Sequence, residues 1–179
     1  MANGTDAVVA RPTMGTEGLS FAVVDSPRIG QPILRPVFDY WEQKRGSRAM
    51  PMRHDIEPAD LKAYLPHLSL VEPLPDGAFR YRLVGSAITE RYGRNSTGKT
   101  LQEIYADKPA IVGWMSRVML AVTIERRPVL ATGTLGAVGK DHILSEALLL
   151  PLSDDGVNVT MIFGATRYST RPPATPPAA

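Results

Sequence analysis

Phe79-Arg80-Tyr81-Arg82-Leu83-Val84 is the stretch on which the fold turns. Phe79, Tyr81 and Leu83 alternate with Arg80 and Arg82, the period of two expected of a strand with one packed face and one solvated face. Strands of a parallel sheet are covered on both sides and do not carry arginines at alternate positions, so this segment belongs to an antiparallel sheet. Just upstream, residues 67–72 read as a neighbouring strand, and Pro73-Leu74-Pro75-Asp76-Gly77 as the turn between the two.

Downstream the period lengthens. Residues 86–92 read as a short helix, capped by Gly85 or Ser86, stopped by Gly93, with Ile88 and Tyr92 on one side. A polar loop and a second helical turn carrying Leu101 and Ile104 follow. The strongest helix starts near Asp107 and Pro109 and runs to Arg126, with Ile111, Trp114, Met115, Val118 and Val122 as its stripe. Three strands then close the pattern at 128–135, 142–152 and 157–165, with Val157, Val159, Met161 and Phe163 facing inward on the last. Ahead of the arginine-striped strand, Leu34, Val37, Phe38 and Trp41 recur at helical spacing within 32–46. A shorter helix begins at Pro58 and ends before Pro66, with Leu61, Tyr64 and Leu65 on one side. The expected class is α+β, a half-exposed antiparallel sheet with a layer of helices.

Composition narrows the function. The chain has 179 residues, 44% hydrophobic and 21% charged, the proportions of one soluble globular domain rather than of a large multidomain enzyme. The formal charge is +2 and the basic residues are scattered, so no nucleic-acid partner is expected. The absence of Cys excludes disulfides, thiolate-zinc sites, iron–sulfur clusters and thiol nucleophiles, and makes the reducing cytoplasm the expected compartment. No apolar run reaches the roughly 18 residues of a spanning helix, so no membrane insertion is expected. Residues 1–30 read as disordered or loosely attached, residues 31–168 as the domain, and residues 169–179 as a Pro-rich disordered tail.

Four runs carry a resemblance. Phe79-Arg-Tyr-Arg-Leu-Val-Gly-Ser86, Gly98-Lys-Thr-Leu-Gln-Glu-Ile-Tyr105, Arg127-Pro-Val129 and Leu148-Leu-Leu-Pro-Leu152 resemble PAS domains over residues 34–168. In particular they resemble a PAS-type family of small proteins common in alphaproteobacteria. The resemblance implies a five-stranded antiparallel sheet, helices packed on one face, an N-terminal helical extension, and a ligand cavity between sheet and helices. It also implies a non-catalytic sensory or protein-interaction module in signal transduction, acting through a separate signalling protein. It brings no catalytic residues and names no cofactor. N-terminal helices of such domains commonly make dimers, so Leu34, Val37, Phe38 and Trp41 are expected to meet the same helix of a second copy in a homodimer.

The elements expected to face each other supply the cavity candidates: Ile88, Tyr92, Leu101, Ile104, Trp114, Val118, Leu130, Leu148 and Met161. A cavity there would take a small-molecule ligand, with Tyr92 and Trp114 offering an O–H and an N–H. A ligand-free scaffold of the same fold, with these residues as plain core, is the alternative. Glu146 shares strand parity with Leu144, Leu148, Leu150 and Leu152, which aims a carboxylate at an apolar layer. It either anchors a ligand, pairs with an arginine, or is turned outward by a bulge.

One motif competes with this reading. Gly93-Arg-Asn-Ser-Thr-Gly-Lys99-Thr100 fits the phosphate-loop pattern G-x-x-x-x-G-K-[ST], which in a nucleotide-binding enzyme would cradle phosphate, with Lys99 and Thr100 on the anion and its magnesium. That mechanism needs a buried parallel strand entering Gly93 and a substantial helix leaving Lys99, and the flanks supply neither. His54, His67 and His142 show no metal-ligand spacing, so no metal site is expected.

Overall fold

Ser20–Val23 (β1), Leu68–Pro73 (β2), Phe79–Val84 (β3), Val129–Leu135 (β4), Lys140–Leu152 (β5) and Met161–Thr170 (β6) form one sheet in the order β1-β4-β5-β6-β2-β3. Every neighbouring pair is antiparallel. The computed structural model describes residues 19–24 and 32–170. The antiparallel α+β architecture agrees with the sequence pattern, with six strands in place of five. The added strand, β1, comes from residues 1–30, which the sequence presents as loosely attached. It is tied to β4 from Ser20↔Thr132 to Val23↔Val129, and its Phe21 is buried. Residues 1–18, 25–31 and 171–179, to which the rest of the disorder expected at both ends refers, lie outside the described residues.

β3 is the last strand of the sheet, and part of its outer edge is taken by the loop at 98–100. Its alternation breaks once. Val71 faces Tyr81 but Leu70 faces Leu83, so Arg82 is an extra residue, a bulge in β3. Phe79 and Tyr81 face the packed side as expected; Leu83 does not. It is turned outward, 42% exposed, and the following Val84 turns in.

Leu34–Arg45 (α1) carries Lys44 and Arg45 in its last turn and ends at Gly46, whose φ of 57° closes the helix through its N–H to the Glu42 carbonyl. Its stripe does not wait for a second copy. Leu34, Val37, Phe38 and Trp41 are buried against Leu148, Leu150, Leu152, Phe163 and Ala165 of the chain's own sheet. The Trp41 indole N–H donates to the Pro151 carbonyl at 2.9 Å. The dimer interface expected of these four residues is therefore corrected: an apolar stripe can be satisfied within one chain or between two, and here β5 and β6 lie close enough to take it. The same bond explains Pro151 inside a strand. A residue's N–H and C=O point to the same side of a strand, so the missing N–H lies on the Trp41 side, beyond the last β4 pair, Val129↔Leu149.

Ser86–Tyr92 (α2), Leu101–Ile104 (α3) and Pro109–Glu125 (α4) cover the opposite face. β5 is thus covered on both sides, which is why residues 147–152 read as one unbroken apolar run. The segment from Pro58 makes tight helical turns, Pro58–Leu61 and Leu65–His67, rather than one helix. β6 begins at Met161, later than the periodicity suggests. Asp155 accepts the backbone N–H groups of Val157 and Asn158, which folds this segment into a turn and leaves Val157 exposed. Those bonds, that of Asn158 foremost, hold the Asp155 carboxyl well below its usual range. No helix among the described residues is long and apolar enough to cross a membrane.

Candidate functional site

A cavity of about 120 Å³ lies between the sheet and the layer of α2, α3 and α4. Its origin is a set of small residues at the sheet positions that face α4. Ser69 of β2, Ala131 of β4, Ser145 and Ala147 of β5, and Thr166 of β6 present little bulk where large side chains would close the gap, while the space over Gly133 is taken by the Leu19 side chain. The opposite wall is apolar and aromatic: Ile88 and Tyr92 from α2, Ile104 and Tyr105 from the end of α3, and Ile111, Trp114, Met115 and Val118 from α4.

Of the residues expected to surround a ligand, Ile88, Tyr92, Ile104, Trp114 and Val118 line this cavity. Leu101 does not; it is wholly buried in the packing beneath α4. Leu130, Leu148 and Met161 belong to the core under α1, on the far side of the sheet. Glu146 is on that far side as well, opposite Arg167 of β6, whose Nη1 donates to its Oε2 at 2.7 Å. Those four placements are corrected for one reason. Strand parity separates the two faces of β5 but cannot say which face holds a cavity when both are covered. Of the three readings of Glu146, the arginine pair is the one present.

The polar lining comes from residues that sequence reasoning missed. Arg94, Tyr81, Tyr105 and Tyr168 join Tyr92 and Trp114 around the cavity. Gly93, with φ 70°, caps α2 in the left-handed conformation that glycine takes most readily and redirects the chain at Arg94. The Arg94 guanidinium lies 4.7 Å from the centre of the Tyr105 ring, a cation–π stack. Trp114 packs edge-on against Phe21 of β1, with centroids 6.3 Å apart. Tyr81 could have been found from its shared parity with Phe79; Arg94, in a loop, carried no periodic signal.

Burial, first of all, pushes the phenols of Tyr81, Tyr92, Tyr105 and Tyr168 up from their ordinary value. For Tyr81, Tyr92 and Tyr168 the neighbouring phenols push further in the same direction. All four stay protonated near neutral pH and can donate. The Nε of Arg94, the Nε1 of Trp114 and the hydroxyl of Tyr168 are buried with no hydrogen-bond partner among the described residues. Buried donors left unpaired cost about 1–3 kcal/mol each.

The phosphate-loop alternative is overturned by the same geometry. β3 is an antiparallel edge strand that leads into α2, and Gly93 ends that helix rather than opening a loop after a strand. The loop's backbone is spent on the β3 edge, Gly98 N–H donating to the Tyr81 carbonyl and Tyr81 N–H to the Lys99 carbonyl. The Thr100 hydroxyl caps α3, accepting from the Glu103 N–H at 3.3 Å, while Glu103 Oε2 accepts from the Thr100 N–H. α3 itself spans four residues, too short to hold an anion by its dipole. His54 and His142 are exposed and His67 closes a tight turn; among the described residues no cluster of metal-ligating side chains forms.

A family model described as PAS domain matches residues 30–167 of the chain. No curated protein matches it.

Proposed function

The chain belongs to the PAS domain family, and on that premise we propose that it is a non-catalytic cytoplasmic sensor whose input is a small molecule held between the sheet and α2–α4. The output passes to a separate signalling protein. The observation that carries the reading is the conjunction of a 120 Å³ cavity with buried donors on its wall that lack partners. A filled core would place apolar side chains where Ala147 and Ser145 stand, and would leave no donors facing them. A ligand would rest against α2 and α4 at once, through Ile88 and Tyr92 on one and Trp114 and Val118 on the other. Its binding free energy would thereby bias how these helices pack on the sheet, the differential contact that a signal requires.

The neutral probe for the cavity is toluene, a single ring with one methyl group. Methyl NMR spectra of the full chain should show toluene-dependent shifts at Ile88, Ile104 and Val118, and none at Leu148 or Leu150 under α1. Ala147→Phe, which pushes a ring into the cavity from β5, should abolish them. Absence of shifts in the unmodified chain, or shifts that persist unchanged in Ala147→Phe, overturns the proposal in favour of a ligand-free scaffold.

A further inference from the structure

We propose that the ligand of this cavity is a small monocarboxylate with an apolar, ring-sized body, its carboxylate held by Arg94 and Tyr168 and its body enclosed by the α4 wall. This rests on the cavity being a ligand site at all. Two of the three unpartnered groups, the Arg94 Nε–H and the Trp114 Nε1–H, can only donate, and the third, the Tyr168 hydroxyl, is able to. No Asp or Glu is among the lining residues, and Arg94 is the one cation there. The guanidinium forms no ion pair among the described residues, although it is near enough to Asp107, outside the lining, to help hold that carboxyl below its ordinary value, and its stack on Tyr105 holds it in place. A cavity walled by donors and a single positive charge selects an acceptor with one negative charge.

Each other class fails on a specific feature. A neutral hydrocarbon leaves the donors unpaired, and a cation meets Arg94 with no carboxylate among the lining residues to offset it. A phosphate dianion would bury its second charge against phenols and aliphatic side chains with no second cation among the lining residues, since Arg91, 5.9 Å from the centre of the Tyr168 ring, is exposed and outside the lining. Planar carboxylate and planar guanidinium suit each other in a bidentate pair. Size sets the remainder: a dry cavity of about 150 Å³ takes benzene, so 120 Å³ takes one ring or a short branched chain and no more. Ile88, Ile111 and Val118 supply its apolar contacts.

The test compares benzoate with benzyl alcohol, which keeps the ring and removes the charge. Only two tryptophans are present, and Trp41 is buried under α1 on the other side of the sheet, so the indole N–H resonance of Trp114 reports on the cavity directly. Titrations on the full chain should give benzoate an affinity roughly 10- to 100-fold above that of benzyl alcohol, the range of a charge-assisted hydrogen bond. Arg94→Gln should bring benzoate down to the level of benzyl alcohol and leave the alcohol within about two-fold of its original affinity, since one charged contact is being removed. Equal affinities in the unmodified chain, or a preference for benzoate that survives Arg94→Gln, overturn the carboxylate assignment. Should that variant fold poorly, the comparison of the two ligands on the unmodified chain decides the matter alone. Binding of benzyl alcohol without preferred binding of benzoate refutes the carboxylate and leaves the cavity reading standing. No response to either compound, or to toluene, refutes both.

Discussion

Trp41→Ala should lower the unfolding free energy by about 3–5 kcal/mol, the range for removing a large aromatic from a core. Trp41 is 1% exposed and lies among Leu34, Phe38, Leu150 and Phe163, so truncation empties a ring-sized volume between α1 and the sheet. It also removes the donor to the Pro151 carbonyl, which is buried and would be left without it. Urea titrations followed by far-ultraviolet circular dichroism measure the loss. The variant also separates two roles for α1. A helix that stabilises its own sheet gives a midpoint independent of protein concentration, whereas one that stabilises a pair of chains gives a midpoint that rises with concentration. The expected result is a large, concentration-independent loss. A change under about 1 kcal/mol, well below the cost of vacating a buried aromatic site, or one that vanishes on dilution, would return the stripe to an interface between copies.

Gly85→Ala should be the most damaging of the small substitutions, at about 1–3 kcal/mol or beyond as an overpacked site with no room to relax. An added Cβ would sit 2.3 Å from the Pro66 carbonyl oxygen and 2.5 Å from that of Leu65, both backbone atoms that cannot rotate aside. Gly85 is where β3 becomes α2: its N–H donates to the Leu68 carbonyl and its own carbonyl accepts from Thr89. Displacing it shifts α2, and with it Ile88 and Tyr92 on the cavity wall. The variant should therefore lose stability and toluene-dependent shifts together. Gly113→Ala is the matching control. Its Cβ meets nothing within 4 Å, and it lies inside α4, where alanine is favoured over glycine by about 0.5–1 kcal/mol. Thermal melts should thus move in opposite directions for the two changes. Similar losses in both would mean that the close approach at Gly85 is not what constrains that junction.

Much of the fold was legible in local pattern. The arginines of β3 announced an antiparallel strand with a solvated face, Gly93 announced the end of α2, and Pro109 announced the start of α4, because each is a local rule about solvent, left-handed backbone or a missing N–H. Helix-borne cavity residues were legible for a related reason. Ile88, Trp114 and Val118 lie on stripes whose direction is set by the helical period, so the face they show the sheet follows from the sequence. The strand-borne ones were not. Leu130, Leu148 and Glu146 lie on the same strands as Ala131, Ala147 and Ser145 but one position away, and that single step decides between the α1 core and the cavity. Small residues on a strand also give no apolar signal, although they are what leaves the space.

Residue order alone settled the succession of elements from α2 to β5, the antiparallel class of the sheet and the absence of thiol chemistry, since each depends on the residues concerned and their nearest neighbours in the chain. Contacts between distant segments settled the rest. Whether α1 packs on its own sheet, where β1 joins, which face of β5 is hollow, and that Arg94 and Tyr168 come to line one cavity all depend on how segments up to about a hundred residues apart come together. An amphipathic stripe or a lone arginine states that it needs a partner, because burial without one is costly. It does not state which partner, because any apolar face or acceptor of the right shape satisfies it, and only the packed chain brings one within reach.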